Sequence, residues 1–170
     1  MKIYFIGFMG CGKSSVGKKI ANKLGYTFID LDDFIEKKAG LTIPDIFSRE
    51  GEDYFRKLET YSLKEIASLD KVVVSTGGGT PCFNSNMDLI NSSGMSIYLK
   101  MSAETLYSRL RESKTERPLL SAFTEFELKQ YVVDKLLERE FYYSQAHFKV
   151  KAKGLKTEEM HDFLKQNLVL

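Results

Sequence analysis

The chain has 170 residues, of which 43% are apolar and 28% charged, with a formal net charge of +2. That length and balance fit one folded domain over residues 1–170 and exclude a disordered chain, a coiled coil or a large second domain. The basic residues are scattered, the two cysteines form no CxxC, and no apolar run nears the ~20 residues of a membrane span, so no nucleic-acid partner, disulfide framework or membrane anchor is expected.

Residues 2–7 alternate too little for a half-exposed strand, and they predict a buried strand of a parallel sheet. "GFMGCGKSS" follows, with the spacing Gly7-x-x-x-x-Gly12-Lys13-Ser14 of a phosphate-binding loop (P-loop). Glycines let backbone N–H groups turn inward onto phosphate oxygens, and the positive end of the following helix adds to the attraction. In this pattern Lys13 reaches the β- and γ-phosphates and Ser14 ligates Mg²⁺; Gly10, Cys11, Gly12 and Ser15 complete the expected ATP-binding stretch. Cys11 reads as a small residue that fits the loop. Val16, Ile20 and Leu24 recur at four-residue spacing up to Gly25, which marks a helix and its end.

"YTFIDLDDF" reads as a short strand running into three carboxylates. In an extended chain Asp30 and Asp32 share a face and Asp33 points away. Those two are the pair expected to serve a metal's water shell and an acceptor hydroxyl. The competing reading is a helix N-cap with first-turn acids, filled by Asp32 or Asp33. A long helical region follows, broken near Thr42-Ile43-Pro44. Within it Arg56 stands four residues after Glu52 and three before Glu59, spacings that fit either surface ion pairs or an arginine held toward an anion.

"KVVVSTGGG" is a β-branched run closed by Gly77, Gly78 and Gly79. Three consecutive glycines cost backbone entropy and offer no packing, so close approach of a ligand to this backbone is expected. Ser75 or Thr76 stands where many P-loop enzymes carry a metal-binding aspartate, a role that would pass to Asp30. "MSIYLKM" and "HFKVKA" predict two more strands, and helices are predicted at about 84–93, 102–112, 124–143 and 157–168. Residues 112–123 interrupt the alternation with charges and Pro118, as a lid does, and Arg117 there is a candidate to close on the transferring phosphoryl. A plain surface loop is the alternative. Arg139 in "LEREFYY" pairs with a neighbouring glutamate if it has no other role. Lys149, Lys151, Lys153 and Lys156 read as a solvated strand end.

Alternating strands and helices predict a three-layer α/β/α sandwich around a five-stranded parallel sheet, a P-loop NTPase fold with a lid, with the glycine loop, "DLDD" and "STGGG" converging at the carboxyl ends of the strands. "GFMGCGKSS", "DLDDFIE", "IFSREGEDYFRKLE", "VVVSTGGGT", "RPLL" and "LEREFYY" occur in an order and spacing that resembles shikimate kinase over nearly the whole chain. The resemblance implies transfer of the ATP γ-phosphoryl to the 3-hydroxyl of shikimate, with Mg²⁺, in a fold like that of nucleoside monophosphate kinases. It implies that Asp32 binds ring hydroxyls and takes a proton, that Arg56 and Arg139 clamp the shikimate carboxylate, and that Gly77 to Gly79 line the ring. It also implies a lid role for Arg117, a place beside adenine for Arg109, and a substrate-binding helical region at about 32–62. A cytoplasmic monomer with ATP and shikimate as its only partners is expected. The rivals are a kinase of another small acceptor such as gluconate or a nucleotide, and a nucleotide-dependent switch or binding module without phosphoryl transfer; a GTPase switch would show an NKxD motif, and "NKLG" at Asn22 has no aspartate.

Overall fold

In the computed structural model, the described residues are 1–113, 120 and 122–167. In chain order they form β1 (Lys2–Ile6), α1 (Lys13–Leu24), β2 (Thr27–Asp30), α2 (Leu31–Ala39), α3 (Ile43–Ala67), β3 (Val72–Ser75), a 3₁₀ turn (Thr80–Cys82), α4 (Asn86–Ser93), β4 (Met95–Lys100), α5 (Ala103–Glu112), α6 (Glu125–Tyr143), β5 (Phe148–Lys151) and α7 (Thr157–Asn167). The five strands pair in the order β2-β3-β1-β4-β5, and every pairing is parallel. The central strand β1 is flanked on both sides, and Ile3 to Ile6 are wholly buried, which explains an apolar run without alternation.

The side chains assign the layers. Phe5 packs where Gly17 of α1 approaches the sheet, while the neighbouring Tyr4 hydroxyl is hydrogen-bonded to Ser93 of α4 at 3.0 Å. Successive strand residues point to opposite faces, so α1 and α4 cover opposite sides of the sheet. Tyr98 of β4 is in register with Ile6, on the Tyr4 side, and its hydroxyl donates to Glu140 of α6 at 2.7 Å, which puts α6 on the α4 face. Phe148 of β5 is in register with Ile97 and meets Phe163 of α7, so α7 joins α1. The three layers expected from the alternation are present, and no described helix is long and apolar enough to cross a membrane.

Helix ends follow local chemistry. Gly12 and Gly25 flank α1 in left-handed backbone, at φ 99° and 66°. Thr42 caps α3 by accepting from Asp45 N–H, with Pro44 in the first turn. A capping box between Thr124 and Glu127 starts α6. The break expected near Pro44 lies between α2 and α3; a second one, at Gly51 with φ 83° and ψ 173°, has no counterpart in the sequence reading.

Gly17 shows how closely α1 seats on the sheet. A Cβ there would stand 2.6 Å from Cε2 of Phe28 and 3.6 Å from Phe5. Alanine gains about 1 kcal/mol in helix propensity, whereas overpacking costs about 1–3 kcal/mol. Gly17→Ala is therefore expected to destabilise the fold by about 1 kcal/mol, read as a lower urea midpoint by circular dichroism; an unchanged midpoint would mean the ring moves aside freely.

Candidate active site

Three strand ends meet at one rim of the sheet, and a cavity of about 690 Å³ opens there. Its walls include Met9, Gly10, Lys13 and Ser14 after β1, Asp30 and Asp32 at and after the end of β2, and Ser75 to Gly78 at and after the end of β3. Ile43, Pro44, Phe47 and Ser48 of α3 and Leu120 complete it. The convergence follows from parallel topology, which brings the carboxyl ends of β1, β2 and β3 side by side.

On the β1 side the loop turns through Gly7, Gly10 and Gly12, at φ 142°, 83° and 99°, a region that side-chain-bearing residues rarely adopt. Lys13 is 8% exposed, and its Nζ donates to the carbonyls of Gly7 at 2.9 Å and Phe8 at 3.0 Å. Cys11 is buried in the loop with Sγ 3.9 Å from that nitrogen, in keeping with a small filling residue. Arg109 of α5 donates to the Gly10 carbonyl at 3.3 Å, so its side chain lies along the loop. Ser15 is exposed on the first turn of α1 and does not line the cavity.

Ser14 Oγ donates to Asp30 Oδ2 at 2.6 Å and lies 3.0 Å from Ser75 Oγ. One carboxylate and two hydroxyls make a compact, hard oxygen set. Ser14 thus links Ser75 and Asp30, the residue to which the metal role was expected to pass, in one hydrogen-bonded group. The described residues hold no cluster of three or more His, Cys, Asp or Glu suited to a metal.

The geometry corrects the expected relation of Asp30 to Asp32. The strand ends at Asp30, and α2 begins at Leu31, so Asp32 sits in a helical first turn rather than two residues along a strand. Asp30, not Asp32 or Asp33, is the N-cap: its Oδ1 accepts from Asp32 N–H at 3.1 Å while Oδ2 takes the Ser14 bond. The two carboxylates still face one cavity, because the cap turns the chain inward. Asp33 is exposed. Burial, followed by repulsion from Asp30, Glu59 and Glu36, pushes the Asp32 carboxyl up to about 6, against a smaller opposing pull from Lys13.

The three glycines are explained by the protein's own charges. A Cβ on Gly77 would meet Thr80 Oγ1 at 2.9 Å and Asp32 Oδ1 at 3.1 Å; on Gly78, Arg139 Nη1 at 3.1 Å; on Gly79, Arg56 Nη2 at 2.8 Å. The protein's own side chains thus crowd the segment at which close approach of a ligand was expected. Arg56 Nη1 donates to Glu59 Oε1 at 2.9 Å, its Nε and Nη2 reach Glu52 at 3.3 Å, and its guanidinium covers Phe83 at 3.9 Å. Arg56 is thus ion-paired within its helix, to the buried Glu59 as well as to the exposed Glu52, and its guanidinium lies against the glycine segment. Glu59 is 1% exposed and also accepts from Thr80 Oγ1 at 2.7 Å. Arg139 has no glutamate partner among the described residues. Its guanidinium lies 5.4 Å over the Phe8 ring, and Nη1 is buried with no hydrogen-bond partner among the described residues.

Arg117 and most of the segment expected as a lid, residues 114–119 and 121, lie outside the described residues. Of the helical region expected at 32–62, Asp32 and the Ile43 to Ser48 stretch of α3 reach the cavity. Sequence reasoning missed the apolar wall of Ile43, Pro44 and Phe47, the cover that Phe83 gives Arg56, and Tyr143, whose hydroxyl donates to the Gly78 carbonyl at 2.6 Å. Only the Glu59 spacing signalled a buried partner.

A family model described as shikimate kinase matches residues 9–168. The chain is 46% identical over 146 residues to a shikimate kinase of Azobacteroides pseudotrichonymphae, covering 85% of this chain and 86% of that protein. Its structure superposes on the crystal structure of shikimate kinase from Bacteroides thetaiotaomicron with a TM-score of 0.94 at 37% identity, covering 100% and 99% of the two chains. For shikimate kinase from Acinetobacter baumannii in complex with shikimate the TM-score is 0.87 at 34% identity, covering 99% and 95%. The chain belongs to the shikimate kinase family of ATP-dependent phosphotransferases.

Proposed function

We propose that this cleft binds Mg·ATP on the β1 loop and shikimate against Gly77 to Gly79, and passes the γ-phosphoryl to the 3-hydroxyl. The observation that carries the reading is the buried Nη1 of Arg139, without a hydrogen-bond partner among the described residues, on the same glycine segment that Asp32 and Arg56 touch, beside the phosphate loop. A small polyhydroxylated carboxylate needs both a hydroxyl acceptor and guanidinium donors, and this set supplies them.

The loop N–H groups and Lys13 hold the phosphates, and Arg109 lies where it borders the nucleotide. Arg56 and Arg139 take the carboxylate of shikimate, which orients the ring so that its 3-hydroxyl faces Asp32. Asp32 accepts that proton as the oxygen attacks. With its pKa at about 6, it is ionised at neutral pH yet a stronger base than an ordinary aspartate. Ser14, Asp30 and Ser75 fit a magnesium ion that keeps most of its water, and such an ion neutralises charge on the β- and γ-phosphates. The reading takes the enzyme as a cytoplasmic monomer.

The test is ADP release with Mg·ATP and, in parallel, shikimate, gluconate, nucleoside monophosphates or no acceptor. ADP formed only with shikimate is expected; turnover with another acceptor and none with shikimate would discard the site built on Asp32, Arg56 and Arg139. Arg139→Ala is expected to weaken shikimate binding by about 2–5 kcal/mol, the scale for removing one partner of a buried charge pair, with the ATP KM little changed. An unaltered shikimate KM would remove Arg139 from the site.

A further inference from the structure

Tyr143, at the end of α6, has 0% exposure and contributes no surface to the cavity. Its ring meets Tyr98 at 5.1 Å, and its hydroxyl donates to the Gly78 carbonyl at 2.6 Å. Arg139 precedes it by one helical turn on α6. The Arg139 guanidinium neighbours the hydroxyl and favours its ionised form, although burial, the larger effect, raises the pKa. One glycine thus has two contacts from one helix: Tyr143 on its carbonyl, and Arg139 Nη1 where its Cβ would stand.

Glycine backbone has the widest choice of conformations, and Gly77 to Gly79 have no side chains of their own to anchor them. A buried tyrosine hydroxyl needs an acceptor, but that need alone does not select this carbonyl. Tyr98 meets the same need with Glu140, on α6 and away from the glycines. Rotation of the Gly78 peptide would re-aim the Gly79 N–H and displace the surface on which Arg139 rests.

We propose that Tyr143 is a positioning residue for the acceptor: its hydroxyl locks the Gly78 peptide and with it the seat of Arg139, presetting the backbone and guanidinium that receive the carboxylate of shikimate. This rests on the reading of Arg139 as a carboxylate clamp. Tyr143 touches neither substrate, so its removal acts on acceptor binding and spares the nucleotide.

Tyr143→Phe keeps the ring and its packing while deleting one hydroxyl. The shikimate KM is expected to rise about tenfold, the factor set by the net worth of one hydrogen bond, with the ATP KM within about twofold. The rise in melting temperature that saturating shikimate confers should shrink accordingly. Tyr98→Phe is the control, since it deletes a buried hydroxyl bond from the same ring pair without touching Gly78; it should lower the melting temperature and leave the shikimate KM unchanged. An unchanged shikimate KM in Tyr143→Phe, or an equal rise in Tyr98→Phe, would overturn the proposal. Arg139→Ala separates the two failures: if it raises the shikimate KM and Tyr143→Phe does not, only the Tyr143 proposal falls, whereas if it leaves KM unchanged the clamp reading falls first.

Discussion

Lys13→Ala is expected to lower kcat by about 10³-fold, the scale for losing one preorganised charged or hydrogen-bonding group at a transferring centre. Phosphoryl transfer asks the protein for little beyond positioning and charge neutralisation, so a cation at the phosphate loop carries a large share of the rate. In this structure Lys13 Nζ is already buried and held by the Gly7 and Phe8 carbonyls. The loop therefore keeps the ammonium at its post before nucleotide arrives. Its loss also leaves those carbonyls short of a donor, so some loss of stability should accompany the loss of rate. Steady-state kinetics at saturating ATP and shikimate check this; a kcat within tenfold of the parent would show that the loop N–H groups suffice without the lysine.

Asp32→Asn should have opposite effects on rate and stability. Removing the proton acceptor is expected to reduce kcat by about 10²–10⁴-fold. Yet the folded state raises the Asp32 pKa from 3.8 to about 6, so the folded protein binds that proton more tightly than the unfolded chain does. The stabilisation linked to the protonated carboxyl is complete below about pH 4 and is lost as pH rises through about 6. At pH 8 the ionised carboxylate therefore costs roughly 2–3 kcal/mol, from about 1.4 kcal/mol per pKa unit over the shift. Asp32→Asn should raise the stability of the ligand-free protein by that amount at pH 8 and by nearly nothing at pH 4. In the parent enzyme, kcat/KM should decline on the acid side with a pKa near 6. A variant no more stable than the parent at pH 8 would show that Asp32 is not strained by its surroundings.

The phosphate loop was legible because its signal is local: two glycines at fixed spacing, a lysine and a hydroxyl between a buried strand and a helix. Some helix limits were legible for the same reason, through Gly25 and the break near Thr42-Ile43-Pro44, whereas the Thr124 to Glu127 box went unread. The Asp30 to Asp32 stretch shows where local reasoning misjudged the backbone and the cap. Period-two alternation was carried two residues too far, and the helix start, which gives Asp30 both a cap and a bond to Ser14, decided the geometry. The three glycines were read as a place of close ligand approach; that Arg56 and Arg139 crowd them, from α3 and α6, was not legible from spacing.

The sequence by itself determined the parallel α/β architecture, the phosphate loop, the candidate acidic and basic residues and, through six ordered motifs, the family. These are properties of spacing along one segment, and covalent geometry turns such spacing into structure directly. Only the tertiary structure decided that Arg56 pairs with Glu59 while lying against Gly79, that Arg139 Nη1 is buried with no hydrogen-bond partner among the described residues, that Asp32 is a raised carboxyl, and that Tyr143 reaches Gly78 across 65 positions of chain. Desolvation and long-range hydrogen bonds depend on which distant groups the packed core brings together, and no spacing within a segment encodes that.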